Sequence, residues 1–130
     1  MTTTQSDYEL LLTRFYGMCD GLIRSVQLRY KDDGTRELEL VIACRDTETI
    51  VNEGWVSVRV LIRNANEFTM VEKPKTTLQV LSDGLQIQVF GDVVGIEFGG
   101  NIDAPYSLDD LRKSRAYAIG TCVDFEVGAY

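Results

Sequence analysis

Apolar and polar residues alternate with a period of two along much of the chain, and one stretch folds onto itself as a hairpin in a single register. In LQIQVFGDVVGIEF, residues 85–98, glycine stands first in a two-residue turn, Gly91-Asp92, as a type II′ turn requires. The turn predicts apolar pairs on one face and polar positions on the other. The apolar pairs are Val89–Val94, Ile87–Ile96 and Leu85–Phe98, and the opposite face holds Gln86–Glu97 and Gln88–Gly95. We therefore interpret Asp92 as a turn residue rather than a catalytic carboxylate.

Two further stretches satisfy the same test. VQLRYKDDGTRELEL, residues 26–40, predicts a three-residue loop in which Gly34 takes the left-handed position. VSVRVLIRNANEFTM, residues 56–70, predicts a similar loop at residues 64–66 in which Asn66 is left-handed. The expected pairs are Leu28–Leu38, Val26–Leu40 and Arg29–Glu37 in the first, and Ile62–Phe68, Val60–Met70 and Arg63–Glu67 in the second.

The end of the chain predicts a last strand over residues 117–127. Its apolar side would hold Ile119, Val123, Phe125 and Val127, and its other side Cys122, Asp124 and Glu126. Upstream, residues 77–81 fit either a short helix or a further strand. Residues 45–54 and 99–106 are polar connections.

Two segments carry helix signals. Ser6 and Glu9 form a capping box, and an apolar stripe at helical spacing follows before Gly17, a natural stop. The stripe consists of Tyr8, Leu11, Leu12 and Phe15. A second, short helix is predicted to begin at Ser107, where two acids, Asp109 and Asp110, suit the positive end of the helix dipole.

Together these elements predict one domain over residues 1–130 of class α+β. We expect a mainly antiparallel, twisted sheet of seven to eight strands, with an N-terminal helix and a second short helix before the last strand. Hairpin pairing alone leaves open whether the sheet stays open, curls into a barrel or splits into a sandwich. A chain of 130 residues is long enough to form a core without a metal or a disulfide.

Charge and composition narrow the classes of function. A net charge of -7 argues against binding to nucleic acid or to anionic membranes, and it permits a basic protein partner. No apolar run is long enough to span a membrane and the start lacks a secretion signal, so we expect a cytoplasmic protein. The three cysteines are widely spaced, which favours reduced, buried thiols over disulfides or a zinc site.

Histidine is absent, which removes the Ser-His and Cys-His nucleophile systems and the commonest transition-metal ligand. Cys122 shares its face with two acids, whose charge would raise the pKa of the thiol and make it less nucleophilic. The other carboxylates occupy turns, helix starts and loops. We therefore expect no catalytic residue, no metal and no cofactor.

Four residues are candidates for contact with a partner: Trp55, Asp46, Glu48 and Asp103. Trp55 begins a strand on the side of Ser57, Arg59 and Arg63, where a half-exposed tryptophan could anchor a partner, although we favour the alternative that it lies under one of the helices or the sheet edge. The three acids belong to the polar connections. Small-molecule binding or carboxylate-dependent catalysis in a pocket between sheet and helices is the alternative hypothesis, and a homo-oligomer of structural role is a third.

The stretch VLSDGLQIQVFGDVVGIEFGG, residues 80–100, together with a short capped helix followed by GLIRSVQLRY, resembles small bacterial proteins of uncharacterised families, including some immunity proteins of toxin systems. The resemblance covers about a third of the chain. It implies a compact cytoplasmic α+β domain that acts by binding, as an immunity-like inhibitor does, and it assigns no role to any residue.

Overall fold

A computed structural model describes residues 3–75, 77–100 and 107–130. The described residues form two α-helices and nine strands, joined by loops that include 3₁₀ turns at Tyr16–Met18 and Val51–Gly54. The helices are α1 (Gln5–Arg14) and α2 (Leu108–Leu111). The strands are β1 (Gly21–Tyr30), β2 (Arg36–Arg45), β3 (Trp55–Arg63), β4 (Glu67–Met70), β5 (Val80–Leu81), β6 (Gln86–Phe90), β7 (Val93–Glu97), β8 (Ala116–Gly120) and β9 (Cys122–Ala129).

The strands form two antiparallel sheets rather than the single sheet of seven to eight strands that the sequence predicts. One sheet has five strands in the order β5-β1-β2-β3-β9, and the other has four in the order β4-β8-β7-β6. The main core lies between them, because its buried side chains come from both, for example Leu40 and Ile42 from β2 and Ile96 and Ala118 from the second sheet. The α+β class is confirmed, and the arrangement is a sandwich.

Two of the three predicted hairpins are confirmed in register. In the β6–β7 hairpin Ile87 lies opposite Ile96 and Val89 opposite Val94, and Gly91 has a φ of 64°. In the β1–β2 hairpin Leu28 lies opposite Leu38. Gly34 there has a φ of 87°. Asp92 is exposed at its turn, as predicted.

The third predicted hairpin is wrong. β3 pairs with β2 on one side and β9 on the other, so no edge remains for β4, which pairs with β8 in the second sheet. The left-handed residue is Asn64, with a φ of 49°, and not Asn66. The Ala65 amide donates to the Arg36 carbonyl and the Asn66 amide to the Ile119 carbonyl, so this loop carries the chain from one sheet to the other.

The predicted last strand is in fact two. β8 ends at Gly120 in the second sheet, and β9 begins at Cys122 in the first. Gly120 lies so close to β3 that an added Cβ would be 2.4 Å from the Arg63 carbonyl oxygen. Ile119 consequently belongs to a small second core with Leu111 and Tyr117, away from Val123. The ambiguous segment at residues 77–81 contributes the two-residue strand β5.

Helix α1 lies along the open side of the sandwich and contacts the edges of both sheets. The Gln5 side chain accepts from the Val89 amide at 2.7 Å and donates to the Ile87 carbonyl at 2.8 Å, so it takes the place of a neighbouring strand for β6. The Val123 amide of β9 donates to Tyr8 Oη at 3.2 Å. Among the described residues no helix is long and apolar enough to cross a membrane.

The predicted starts of the two helices fare differently. Thr4 and Asp7 form the capping box of α1, so the cap lies two residues before the predicted Ser6. Threonine and serine both cap helices, and the cap at Thr4 places Gln5 in the first turn, where its side chain reaches β6. Tyr8 and Phe15 of the predicted stripe are fully buried, while Leu11 and Leu12 are half-buried. Ser107 caps α2 as predicted.

Candidate binding surface

The outer face of the five-stranded sheet carries a lattice of ion pairs. Glu39 of β2 receives Arg59 at 2.5 Å and Arg29 at 3.3 Å, and Glu37 receives Arg63 at 3.0 Å. Glu37 and Glu39 are buried although no helix or strand of the described residues covers this face, because the arginine side chains lie over them. The Arg59 guanidinium holds the pKa of Glu39 below its usual range.

On the outermost strand the same lattice uses the acids of β9. Arg59 also reaches Glu126 at 2.5 Å, and Arg63 reaches Asp124 at 2.6 Å. Cys122 and these two acids do share a face, as the alternation predicts. Their carboxylates are held by arginines, which supports a structural role for them over a catalytic one.

At one end of this face two aromatic rings and two arginines replace the ion pairs. We call these four side chains the aromatic end: Arg24, Arg45, Trp55 and Tyr130. The rings of Trp55 and Tyr130 meet edge to face with their centroids 6.0 Å apart. The Arg45 guanidinium lies 5.6 Å from the Trp55 ring centre, and that of Arg24 lies 4.4 Å from the Tyr130 ring centre. Each cation–π contact of this exposed kind contributes about 0.5–1 kcal/mol.

The sheet register explains how these side chains meet. Arg45 and Trp55 are direct cross-strand partners, and Tyr130 follows Ala129, which pairs with the residue after Trp55. Arg24 comes from β1, at the irregularity in its pairing with β2. Between them the sheet carries a row of small residues across β2, β3 and β9, namely Ala43, Ser57 and Gly128. This row lets long side chains from the two flanks meet above the sheet.

A hollow of about 530 Å³ adjoins the aromatic end. Trp55 and Arg45 form one wall, and the loop after α1 forms the other with Tyr16, Cys19 and Asp20. Phe15 completes the lining. Tyr16 is 59% exposed and Tyr130 52%, so the surface around the hollow is rich in accessible aromatic area.

The backbone beside the hollow is strained. Tyr16, Met18 and Asp20 have φ values of 55°, 57° and 60°, in the left-handed region that non-glycine residues rarely adopt. Just before Trp55, Asn52 and Glu53 are left-handed as well, with φ values of 51° and 56°. Such residues cost on the order of 1 kcal/mol each and concentrate at binding sites, where the surrounding structure holds them in place.

The predicted contact residues Trp55, Asp46 and Glu48 all lie at this end of the molecule, around the connection between β2 and β3. Trp55 is half-buried on the outer face, with the Arg45 guanidinium against its ring. Glu48 is accessible, with a side chain that is 65% exposed. The fourth predicted contact residue, Asp103, lies outside the described residues.

Asp46 has a different environment from the one predicted. Its side chain is 0% exposed and accepts hydrogen bonds from Arg14 Nε at 2.8 Å and Nη2 at 2.9 Å. The Glu48 amide and the Thr49 hydroxyl also donate to it, at 3.0 and 2.7 Å. The Arg14 guanidinium holds the pKa of Asp46 well below its usual range. A carboxylate so enclosed anchors the end of α1 and is inaccessible to a partner.

Sequence reasoning missed Tyr16, Arg24, Arg45 and Tyr130. Arg45 could have been found from the β2–β3 register once Trp55 was singled out. The other three carry no local signal, because they reach the surface through the left-handed loop, the irregularity in β1 and the pairing of β9.

The acids and thiols of the described residues do not form a metal site or a disulfide. No group of three or more acids and cysteines could hold a metal ion in the part of the chain that the structure describes. The three cysteines are free thiols. Only Cys44 is buried as expected, and burial raises the pKa of its thiol to about 12; Cys19 is exposed and Cys122 half-buried, so the expectation fails for those two.

Comparison with family models, with curated proteins and with solved structures yields no match.

Proposed function

We propose that the protein is a non-enzymatic binding protein that docks a basic protein partner at the aromatic end, as an immunity-like inhibitor would. The observation that carries the proposal is the edge-to-face Trp55–Tyr130 pair with an arginine against each ring, on a sheet face that no other helix or strand of the described residues covers. Tryptophan, tyrosine and arginine are the residues that contribute most to affinity at the centres of protein interfaces.

The contacts among the side chains of the aromatic end favour a high affinity for a partner. A side chain that is already held by its neighbours loses less conformational freedom when a partner orders it. Trp55 is fixed between Arg45 and Tyr130, and Tyr130 between Trp55 and Arg24. The side chains of the aromatic end are thus preorganised for binding.

Charge supports a basic partner. Asp20, Glu48 and Glu53 are exposed around the hollow and the connection to Trp55, and the chain as a whole carries a net charge of -7. Complementary charge accelerates encounter and selects the partner, while buried aromatic contacts supply most of the affinity. Inhibition would be steric, through coverage of the partner's own working surface. A reducing, cytoplasmic location is part of this proposal, and the three free thiols agree with it.

The hollow favours a second candidate, the binding of a small molecule, since its volume of about 530 Å³ lies in the range of ligand sites. It is an open surface hollow between the loop after α1 and the end of the sheet, and Asp20 is the one acid in its lining. Asp92 and Asp124 line another hollow of about 420 Å³, but Asp124 is held by Arg63 and Asp92 is exposed at its turn. The geometry therefore favours binding over carboxylate-dependent catalysis.

The test compares Trp55→Ala with Tyr30→Ala as immobilised bait in lysate of the native cell. Tyr30 is an equally suitable aromatic control, because it is 77% exposed at the opposite end of β1. We expect one basic protein that wild type and Tyr30→Ala retain and Trp55→Ala loses, with an affinity at least tenfold lower for the purified pair and an association rate that falls with added salt.

Retention of the same proteins by Trp55→Ala, or an acidic partner whose association is insensitive to salt, would contradict the proposal. A small metabolite that raises the melting temperature of wild type and not of Trp55→Ala would instead establish the second candidate.

A further inference from the structure

The last part of β9 has an open hydrogen-bonding edge. β9 pairs with β3 and lies at the margin of the five-stranded sheet. In an antiparallel pair, the amides of alternate residues point away from the partner strand. The Val123 amide points away from β3, because it donates to Tyr8 Oη at 3.2 Å. The amides of Val127 and Ala129 therefore point outward too, and within the described residues neither has a hydrogen-bond partner.

Other edges of the sandwich are covered, short or irregular: β4 has four residues, and β1, which β5 pairs only at Gly21 and Leu22, carries a bulge between Ile23 and Ser25. Gln5 replaces a neighbouring strand for β6, Tyr8 covers the beginning of β9, and β5 has only two residues. Proteins usually protect an edge by such devices, or by proline, a bulge or charged side chains, above all lysine. β9 contains no proline, lysine or bulge, its two acids are paired with arginines of β3, and beyond α1 its residues from Glu126 onward are exposed.

The side chains of β9 specify what would fit beside it. On the outer face Asp124 and Glu126 are 50% and 54% exposed, so a strand added there would place its own side chains next to two carboxylates. On the inner face Val127 is 42% exposed and offers an apolar contact. A segment that alternates basic and apolar residues matches both faces, since opposite charges across neighbouring strands attract.

A second copy of the chain matches less well. In antiparallel self-pairing centred on Glu126 or Phe125, acids would face acids, and like charges placed directly opposite each other destabilise a sheet. In the registers centred on Val127 or Gly128, Glu126 would face an uncharged residue, so self-pairing gains no attraction between charges. A basic segment does gain that attraction, so the charge pattern favours it over a second copy.

We propose that the open edge of β9 at Val127 and Ala129 binds an extended segment of the basic partner, with alternating basic and apolar side chains, as an added β-strand. This mode rests on the proposed function, because it assumes a protein partner, and it names how that partner is held. The edge leads directly into Tyr130, so a strand on β9 would continue into the aromatic end. Backbone hydrogen bonds would supply affinity, and the alternating side chains specificity.

The test is a proline at a position where only the outward amide is lost. Val127→Pro removes a donor that β3 does not use, and proline is tolerated in an edge strand when its nitrogen faces solvent. Val127→Thr is the matched control, since it keeps the amide and the β-branched shape. The probe is a fluorescein-labelled nine-residue peptide of alternating lysine and valine, measured by fluorescence anisotropy, with an alternating glutamate and valine peptide beside it.

We expect the lysine peptide to bind wild type and Val127→Thr equally, to bind Val127→Pro at least tenfold more weakly, and the glutamate peptide not to bind. Because Val127→Pro leaves the net charge unchanged, non-specific attraction to an acidic protein would persist in it, and equal affinity for wild type and Val127→Pro overturns the proposal. Ala129→Pro serves as a second variant if circular dichroism shows that Val127→Pro is unfolded.

Two further outcomes also decide the matter. A wild-type dimer in light scattering that Val127→Pro abolishes would show that a second copy occupies the edge, and would overturn the basic segment. A natural partner that is lost by Trp55→Ala and kept by Val127→Pro would overturn strand addition while leaving the proposed function intact.

Discussion

The ion pair between Arg14 and Asp46 allows a direct test of whether an acid in the β2–β3 connection serves the fold or a partner. Asp46 is enclosed and accepts two hydrogen bonds from one guanidinium, while Glu48 reaches the same Arg14 Nε at 3.0 Å from the surface. The change Asp46→Asn keeps the size of the side chain and one acceptor oxygen but removes the charge. The change also turns one acceptor oxygen into an amide donor beside the Arg14 guanidinium, so it removes a charge-assisted hydrogen bond together with the charge.

The expected loss follows from the exposure of the two partners. Removing one member of a buried ion pair costs about 3–5 kcal/mol when the remaining charge is left unpaired. Here the Arg14 side chain is 31% exposed and keeps Glu48 as a partner, both of which reduce the penalty. We expect Asp46→Asn to lower the free energy of unfolding by about 2 kcal/mol, measured by urea unfolding at neutral pH with an unchanged slope against denaturant.

Glu48→Gln is the matched control. Its carboxylate is 65% exposed, and exposed ion pairs contribute between about 0 and 1 kcal/mol, so we expect a loss below about 0.5 kcal/mol. If Asp46→Asn is no more destabilising than Glu48→Gln, the Asp46 carboxylate does not stabilise the fold through Arg14. If folded Asp46→Asn loses partner binding although its stability is unchanged, the sequence-based prediction of Asp46 as a contact residue is supported instead.

The pH dependence gives an independent check with a definite sign. The pKa of Asp46 is lowered in the folded protein, so its stabilisation is complete above the unfolded-state pKa, about 3.9 for an aspartate, and is lost as pH falls toward the folded-state pKa. The difference in unfolding free energy between wild type and Asp46→Asn should therefore be constant above about pH 5 and shrink below about pH 4. A difference that grows on acidification would contradict the assignment.

Three further changes test the packing of α1, of β6 and of the second sheet. Tyr8→Phe should lower the free energy of unfolding by about 1 kcal/mol, because the buried amide of Val123 loses its acceptor; an unchanged urea midpoint would argue against that bond. Gln5→Ala should cost about 1–2 kcal/mol and speed amide exchange in β6, which mass spectrometry would detect. Gly95→Ala should lower the free energy of unfolding by about 1–3 kcal/mol, since the added Cβ would lie 2.4 Å from Leu111 Cδ2. In thermal unfolding this loss should be smaller in a Leu111→Ala background, where the clash is absent.

The hairpins show what local sequence determines. The β6–β7 and β1–β2 pairings were predicted correctly because a glycine at the required position of a short turn fixes the register, and the register sorts apolar from polar side chains. Asn64-Ala65-Asn66 carries the same kind of turn chemistry, yet it crosses between sheets. The sequence of that turn does not contain the competing partner, β9, whose Glu126 contacts Arg59 from 67 residues away.

The candidate surface was predictable to the same limited depth. Trp55 was identified because its strand alternates and its neighbours on the outer face are polar or charged. Arg24 lies in β1 and Tyr130 follows β9, two strands separated by β2 and β3, so their contact depends on the order of the whole sheet. The burial of Asp46 could not be predicted either, since Asp46 lies in a polar connection and is buried by an arginine that precedes it by 32 residues.

Five of the six described non-glycine residues with positive φ lie beside the hollow or just before Trp55, and the sixth, Asn64, lies where the chain crosses between the sheets. Where the chain only has to turn, as at Gly34 and Gly91, glycine takes the left-handed position, and an added Cβ would meet nothing within 4 Å. Beside the aromatic end the same backbone region is occupied by larger residues, among them Tyr16 and Glu53. Glycine would satisfy the backbone there at lower cost, so folding alone does not account for an exposed tyrosine in that position. A contact of this side chain with the proposed partner would account for it, since strained residues concentrate at binding sites. The aromatic rings, the hollow and the open edge of β9 occur together at the same end of the sheet.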